Sequence, residues 1–373
     1  MEAEADTRRR RKLEHVHWAA ALPEPGGAGL GDLQLVHDAL AEADPERCSL
    51  ASTLFGRPLR LPLLIGAMTG GTPEVTALNA ALGRAAAAAG LGIAVGSQTS
   101  ALRDPSVRES YAVVRAAHPD GLVLANLGAG ATPDEARAAV AMIGADALIV
   151  HLNVAQELAM AEGERRFSGA AQRIAALAAA VGVPVVAKEV GCGIAAGPAR
   201  RLLAAGVAGI DVAGRGGTDF IAVERARRGL PPAGPFAAWG LPTAVALLET
   251  LHAVGGRVPV LASGGVRTGL DAAACLAAGA AAVGVAAPLL RAVLRGGVPE
   301  VLAWVERFEE ELRTATVLCG AEDLRQLRLA PLVVSGATRD WLRERGIPTA
   351  PYARRPGPLP SGSRRVTASP PSG

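Results

Sequence analysis

The sequence predicts an α/β chain folded as a TIM, or (β/α)8, barrel with an N-terminal arm and a disordered C-terminal tail. Three observations predict it. Eight short apolar runs recur through the middle of the chain, several rich in Val and Ile as buried parallel strands are. Each of the first seven leads into an Ala/Leu/Arg segment of helical periodicity. Polar or glycine-rich residues follow nearly every run. A barrel gathers all its strand ends around one mouth, whereas an open doubly wound sheet, the alternative architecture, has a single crevice.

The elements follow in order. Residues 1–55 are charged, broken by Pro and Gly, and read as an arm with a helix over 31–44. The barrel takes 56–345, with strands at 62–67, 92–95, 122–125, 147–150, 184–187, 209–212, 259–262 and 281–285. Helices are clearest at 133–144, 170–181 and 242–254. The eighth strand leads, past Gly296 and Gly297, to an amphipathic helix over 300–318. The units are not close copies, which excludes a solenoid. The connection 214–239 is long for a barrel and reads as a lid. Residues 346–373 are rich in Pro, Ser, Gly and Arg, so a disordered tail is expected there.

Composition narrows the function. With 50% hydrophobic residues in a chain of 373, wholesale disorder is excluded, and 45 glycines without a three-residue period exclude collagen. A net charge of +3 names no nucleic-acid partner, and the basic run 8–12 reads by composition as a solvated arm. Cys48, Cys192, Cys275 and Cys319 form no metal spacing, as expected of reduced thiols in a cytoplasmic protein. Glu14, His15, His17 and nearby prolines interrupt any secretory signal. The uncharged stretch 272–290 is broken at Gly279, Gly284 and Pro288, so it reads as core rather than a membrane span.

The chemistry-bearing residues stand just after strands. Lys188 ends VPVVAK, where it can stabilise an anion, form a Schiff base, or pair structurally with Glu189 or Asp211. Gly264, Gly265 and Arg267 after the seventh strand, and Ala286 and Ala287 after the eighth, occupy the loops that commonly bind phosphate in this fold. His151 and Asn153 alternate onto one side of their strand end, accompanied by Gln156 and by Glu157, a hard oxygen ligand suited to Mg2+. Residues 214–218 can form an anion nest. Spacing alone does not separate a substrate clamp from a solvated arm at Arg11, Lys12, Glu14 and His15.

Taken together, RKLEHVHW, PLLIGAMTGGT, AVGSQ, ANLGA, HLNVAQE, VPVVAKEVGCGI, DVAGRGGTDF with IAVERAR, WGLPT and SGGVRTGLD resemble the type 2, FMN-dependent isopentenyl diphosphate isomerases over about residues 10–325. The resemblance implies interconversion of isopentenyl and dimethylallyl diphosphate by 1,3-proton transfer, with reduced FMN, Mg2+, NADPH as flavin reductant, and a homo-oligomer, tetramer or octamer. It implies that Ala67, Met68, Thr69, Ser97, Asn126, Lys188 and Thr218 surround the flavin. Gly264, Gly265, Arg267, Ala286 and Ala287 would hold its phosphate side. Arg11, Lys12, Ser97, Gln98, Thr99, His151, Asn153 and Gln156 would meet substrate, with His151, Gln156 and Lys188 catalytic and Glu157 on Mg2+. Thr99 departs from the family's usual Arg, which removes one cation for the diphosphate. Ala213 replaces a usual Ser, and Ala286-Ala287 a bulkier pair. The rival readings are an FMN-dependent 2-hydroxy-acid oxidoreductase, a Schiff-base aldolase, a non-catalytic flavin- or nucleic-acid-binding protein, and a diverged enzyme acting on another prenyl phosphate.

Overall fold

A computed structural model describes residues 2–358 apart from Ala238, with the side chains of the first helix described at Thr7 and from Arg9 onward. The chain opens with helix α1 (Glu2–Ala21), where the sequence suggested only an arm. Where a helix over 31–44 was expected, a 3-10 turn instead leads into strand β1 (Leu33–Leu35). That strand pairs antiparallel with β12 (Leu332–Val334), about three hundred residues away in sequence and therefore outside any local pattern. The hairpin of β2 (Ser52–Leu54) and β3 (Arg57–Leu59) follows, with Phe55 at its turn lying against Gly209 at the foot of the barrel.

Eight parallel strands then close on themselves, which excludes the open sheet. Strand β4 (Leu63–Ile65) leads to α2 (Thr76–Ala89), and β5 (Gly92–Ala94) to the short α3 (Thr99–Arg103) and to α4 (Glu109–Ala117). Next come β6 (Val123–Gly128) with α5 (Pro133–Ile143), then β7 (Ala147–Leu152) with α6 (Val154–Ala159) and α7 (Ala170–Ala180). Strand β8 (Val185–Glu189) precedes α8 (Ala196–Ala204), and β9 (Gly209–Asp211) precedes α9 (Phe220–Arg227) and α10 (Thr243–Val254). Strand β10 (Val260–Ser263) with α11 (Gly269–Ala278) and β11 (Ala282–Val285) complete the ring, where β11 pairs back onto β4. Each strand falls within two or three residues of its expected place because buried parallel strands carry uninterrupted Val, Ile, Leu and Ala.

Local chemistry fixes the helix ends. Thr132 and Glu135 form a reciprocal capping box on α5, and Thr268 and Asp271 do the same on α11, each box contributing about 1 kcal/mol. Helix α12 (Ala287–Leu318) is broken at Gly296 and Gly297, the latter with φ of 64°, so the amphipathic segment beyond them is a second arm of one kinked element. Then come α13 (Leu324–Leu327), β12 and α14 (Gly336–Glu344). The fully buried Glu249 of α10 holds α14 in place by accepting hydrogen bonds from Trp341 Nε1 at 2.9 Å and Arg345 Nε at 3.0 Å.

Disorder does not begin at 346. Residues 350–353 form α15 (Ala350–Ala353), and Arg355 donates to the Ala277 carbonyl at 2.7 Å. The remainder of the expected tail, 359–373, lies outside the described residues. The 272–290 stretch is α11, β11 and the start of α12, and no described helix is long and apolar enough to cross a membrane. All four cysteines are free thiols. The 214–239 connection contains α9, which packs against α1 and α6 over the mouth.

Candidate functional site

The C-terminal ends of the barrel strands open into a cavity of about 790 Å3, within the range of small-molecule sites. Its floor is apolar, formed by Leu64, Ala94, Leu124, Ile149, Val186 and Leu261 from six of the eight strands. Its walls carry nearly every residue the sequence nominated: Arg11, Lys12, Ala67, Met68, Thr69, Ser97 and Thr99 on one part of the rim, then Asn126, His151, Asn153, Gln156 and Glu157. Lys188, Thr218, Gly264, Gly265, Ala286 and Ala287 complete it.

Helix α1 closes one side of the mouth. Arg291 of α12 anchors its end by donating to the carbonyls of Ala20 and Leu22, each at 3.1 Å, and by pairing with Glu24 at 3.1 Å. Glu14 pairs with Arg227 of α9 at 3.0 Å. Anchored in this way, Arg11 and Lys12 line the cavity and are not part of a solvated arm. Lys12 Nζ donates to the Ser97 carbonyl at 3.0 Å. Burial, reinforced by the Arg11 charge, lowers its pKa to about 8. Lys12 and Lys188 are the only lysines in the chain, every other basic side chain of that class being arginine.

Ser97 Oγ lies 3.1 Å from Thr99 Oγ1, placing two hydroxyls beside Lys12. Two buried groups hold this wall. Tyr111 donates its hydroxyl to the Ser97 carbonyl, and Asn79 bonds the Thr69 side chain while donating to the Ser110 carbonyl at 2.6 Å. Neither was visible in the sequence, since both are single polar residues on helices that read as barrel exterior.

His151 Nδ1 lies 2.9 Å from Asn126 Oδ1. Because Asn126 Nδ2 donates to the Val95 carbonyl at 3.1 Å, its Oδ1 accepts, which assigns the proton to His151 Nδ1 and leaves Nε2 as an acceptor. Burial, with the charges of Lys12 and Lys188 adding to it, lowers the His151 pKa to about 4. The imidazole is therefore neutral at pH 7 in the free protein.

Lys188 sits in a three-residue network at the floor. Its Nζ lies 3.1 Å from Asp211 Oδ2 and donates to Ser263 Oγ at 3.1 Å, while Ser263 Oγ donates to Asp211 Oδ1 at 2.6 Å. The structural pairing with Asp211 thus coexists with a place in the cavity. An amine held in an ion pair and a hydrogen-bond network is a poor Schiff-base nucleophile, so the geometry favours an anion-stabilising lysine.

On α6, Asn153 Nδ2 donates to Glu157 Oε1 at 2.9 Å and to Gln156 Oε1 at 3.3 Å. Gln156 Nε2 in turn donates to Glu224 Oε1 at 2.9 Å, and His15 Nε2 approaches the same oxygen at 2.8 Å. Glu224 is fully buried; burial alone would raise its pKa, but the bonds from His15 and Gln156 and the Arg227 charge hold it at about 2. The sequence reading missed Glu224 because IAVERAR resembles a solvated helix end. Glu157 Oε2 accepts from the Glu164 amide at 2.7 Å. No cluster of three His, Cys, Asp or Glu side chains able to hold a metal occurs among the described residues.

The phosphate side is built from backbone. Gly264 and Gly265 have φ of 99° and 82°, and a Cβ on Gly264 would stand 2.0 Å from the Gly214 carbonyl oxygen. These glycines therefore let the loops after β9 and β10 press together. Helix α12 begins at Ala287 with no side-chain cap, so its first amide groups are donors aimed at the mouth. The small residues Ala67 and Ala286 keep this part of the wall open. An uncapped helix start, a lysine on the wall and an apolar floor suit a flat aromatic group carrying a phosphate.

Two nominated residues are not brought to the cavity. Gln98 is fully buried in the barrel wall, its Nε2 donating to the Ala139 carbonyl at 2.9 Å and its Oε1 accepting from the Asn126 amide at 3.0 Å. It braces the backbone under Asn126. Arg267 points behind the glycine loops, donating to the carbonyls of Gly265 at 3.1 Å and Gly216 at 2.7 Å and pairing with Glu24 at 2.7 Å. Ala213 takes the unusual φ of 35° and lines the cavity.

Residues 105–333 match the family model of FMN-dependent dehydrogenases. In fold, the chain is similar to a mandelate oxidase mutant with the monooxide FMN adduct, at a TM-score of 0.63 and 21% identity, covering 89% of this chain and all of that one. In sequence it is 45% identical over 359 residues to the isopentenyl-diphosphate delta-isomerase of Symbiobacterium thermophilum, covering 94% of this chain and 99% of that protein. It is 45% identical over 338 residues to the enzyme of the same name from Moorella thermoacetica, covering 91% and 97%. With relatives of this identity spanning nearly their whole length, the chain belongs to the type 2, FMN-dependent isopentenyl-diphosphate delta-isomerase family.

Proposed function

We propose that this isomerase interconverts isopentenyl diphosphate and dimethylallyl diphosphate by a net 1,3-proton transfer in the mouth cavity, as a cytoplasmic homo-oligomer. The observation that carries the reading is convergence: cationic Arg11 and Lys12, the Asn153–Gln156–Glu157 cluster and Lys188 all face one space above an apolar floor.

Bound reduced FMN would supply an electron-rich apolar face, able to stabilise positive character at the substrate's C3 and to exchange protons at N5. Lys188, fixed by Asp211 and Ser263, would supply a positive charge to offset negative charge on the reduced ring. The α12 amides and the loops at Gly264 and Gly265 would hold the phosphate. Arg11, Lys12, Ser97 and Thr99 supply charge and hydroxyl donors to the diphosphate. The apolar floor and the roof made by α1 keep water from the cationic carbon.

Gln156, oriented by Glu224, and His151 would direct the alkene end of the substrate or relay protons. Glu157 contributes a single carboxylate, so Mg2+ there would complete its shell with substrate phosphate oxygens and water. NADPH would reduce the flavin. The test is direct. The purified protein should be yellow, bleach on reduction, and isomerise isopentenyl diphosphate only when reduced and supplied with Mg2+. Activity in oxidised, metal-free protein would overturn this mechanism, and turnover of a 2-hydroxy acid would favour the oxidoreductase.

A further inference from the structure

Thr99 offers the diphosphate end of the cavity a hydroxyl and no charge. The helix it begins, α3, is five residues long and ends at Arg103. Residues four apart share a helix face, with Cβ atoms about 5–6 Å apart. Both Thr99 and Arg103 line the cavity. Thr99 lies against Ser97, whose carbonyl accepts from Lys12, so Arg103 stands one helical turn beyond the Lys12–Ser97–Thr99 contact.

The Arg103 guanidinium is uncommitted. Its side chain is exposed and, among the described residues, forms no hydrogen bond or ion pair. The adjacent Asp104 carboxylate is engaged with the amide and hydroxyl of Ser106 at 3.0 and 2.6 Å. Of the other arginines on the cavity wall, Arg173 donates to the carbonyls of Ala129 and Ser168, Arg11 leans towards Glu162, and Arg166 belongs to the connection between α6 and α7 and not to the Lys12–Ser97–Thr99 wall. A charged, five-donor side chain with no partner, at the rim of a cavity that already holds Arg11 and Lys12, is suited to an anion arriving from solvent.

We propose that Arg103 grips the outer phosphate of the substrate diphosphate, supplying from the next helical turn the cation that residue 99 lacks. The proposal rests on the reading of the cavity as a prenyl diphosphate site. A contact made equally in ground and transition states acts on KM and not on kcat, and a grip on the outer phosphate is expected to be of that kind.

The test uses the reduced holoenzyme. Arg103→Ala should raise KM for isopentenyl diphosphate by about tenfold or more, as expected for one charge-assisted hydrogen bond, with kcat within about twofold. Adding Thr99→Arg to that variant should restore most of the lost affinity. Calorimetric titration with inorganic pyrophosphate should show the same weakening and the same rescue, together with a shallower dependence on salt. An unchanged flavin spectrum would confirm that the variants are folded. A KM and pyrophosphate affinity within twofold of wild type in Arg103→Ala would overturn the proposal, as would failure of the Thr99→Arg rescue or a loss confined to Arg166→Ala. Pyrophosphate binding that depends on Arg103 in a protein that does not isomerise would instead sink the functional reading and leave this site standing.

Discussion

Lys188 Nζ and Asp211 Oδ2 lie 3.1 Å apart at the cavity floor, bridged a second time through Ser263. The lysine that faces the proposed flavin thus has its counter-charge in the protein itself. Asp211→Asn removes that counter-charge and leaves an ammonium that favours the anionic reduced ring. The flavin midpoint potential should rise by on the order of 30 mV, a tenfold change in the two-electron equilibrium. Spectroelectrochemistry measures it, and an unchanged or lower potential would count against the arrangement. Lys188→Ala should weaken FMN binding or abolish activity; an unaltered spectrum and rate would remove Lys188 from the site.

Lys12 gives the pH profile its alkaline limb. Its pKa is lowered to about 8 by burial and by Arg11. It carries charge below that value and loses it above, so kcat/KM for the diphosphate should fall as pH rises through about 8. Replacement by Arg, which stays protonated, should move the fall to higher pH. A flat profile to pH 10 in the wild type would refute the assignment.

His151 is neutral in the free protein, with a pKa of about 4. A diphosphate bound beside it favours the charged form and raises that value. Binding near pH 6 should therefore be accompanied by proton uptake, seen as a dependence of the calorimetric enthalpy on the buffer's ionisation heat. His151→Gln should abolish the uptake. Equal enthalpies in all buffers would show that the imidazole does not respond to the ligand.

Glu224 should shape acid stability. Its folded pKa of about 2 lies below the ordinary 4.5, so its contribution is complete above the unfolded value and is lost as pH falls from about 4.5 towards 2. Denaturant unfolding followed between pH 6 and 3 should lose part of its pH slope in Glu224→Gln. The same substitution weakens the hold on Gln156 and should lower kcat while leaving FMN affinity intact. A variant matching wild type in both slope and kcat would contradict this role.

The barrel was legible in the sequence because buried parallel strands write themselves as continuous apolar runs, and each strand end carried its polar signature. The first helix was not. Its residues from Arg9 onward hold the mouth through ions and carbonyls, by Arg9 to Glu74 and Glu14 to Arg227, and lack the apolar stripe that local reading detects. The segment 31–44 was misread because the pairing of Leu33–Leu35 with Leu332–Val334 is non-local. At the site, residue type identified the cavity walls, but orientation did not follow from type. Gln98 and Arg267 both stand in the right loops, yet the strand pleat and the packing of the glycine loops turn them inward and behind. Glu224 was hidden because only the folded α1 and α6 convert a charged helix face into a buried one.

The chain's confinement of lysine to Lys12 and Lys188 has a practical side. Acylating labels, aldehyde cross-linkers and amine-coupled supports find, beyond the α-amino terminus, no target outside the barrel mouth. Such reagents should inactivate an empty protein and spare a loaded one, so covalent amine labelling becomes a gauge of occupancy. Attachment to a surface through arginine- or carboxylate-directed chemistry is the route that leaves the mouth free.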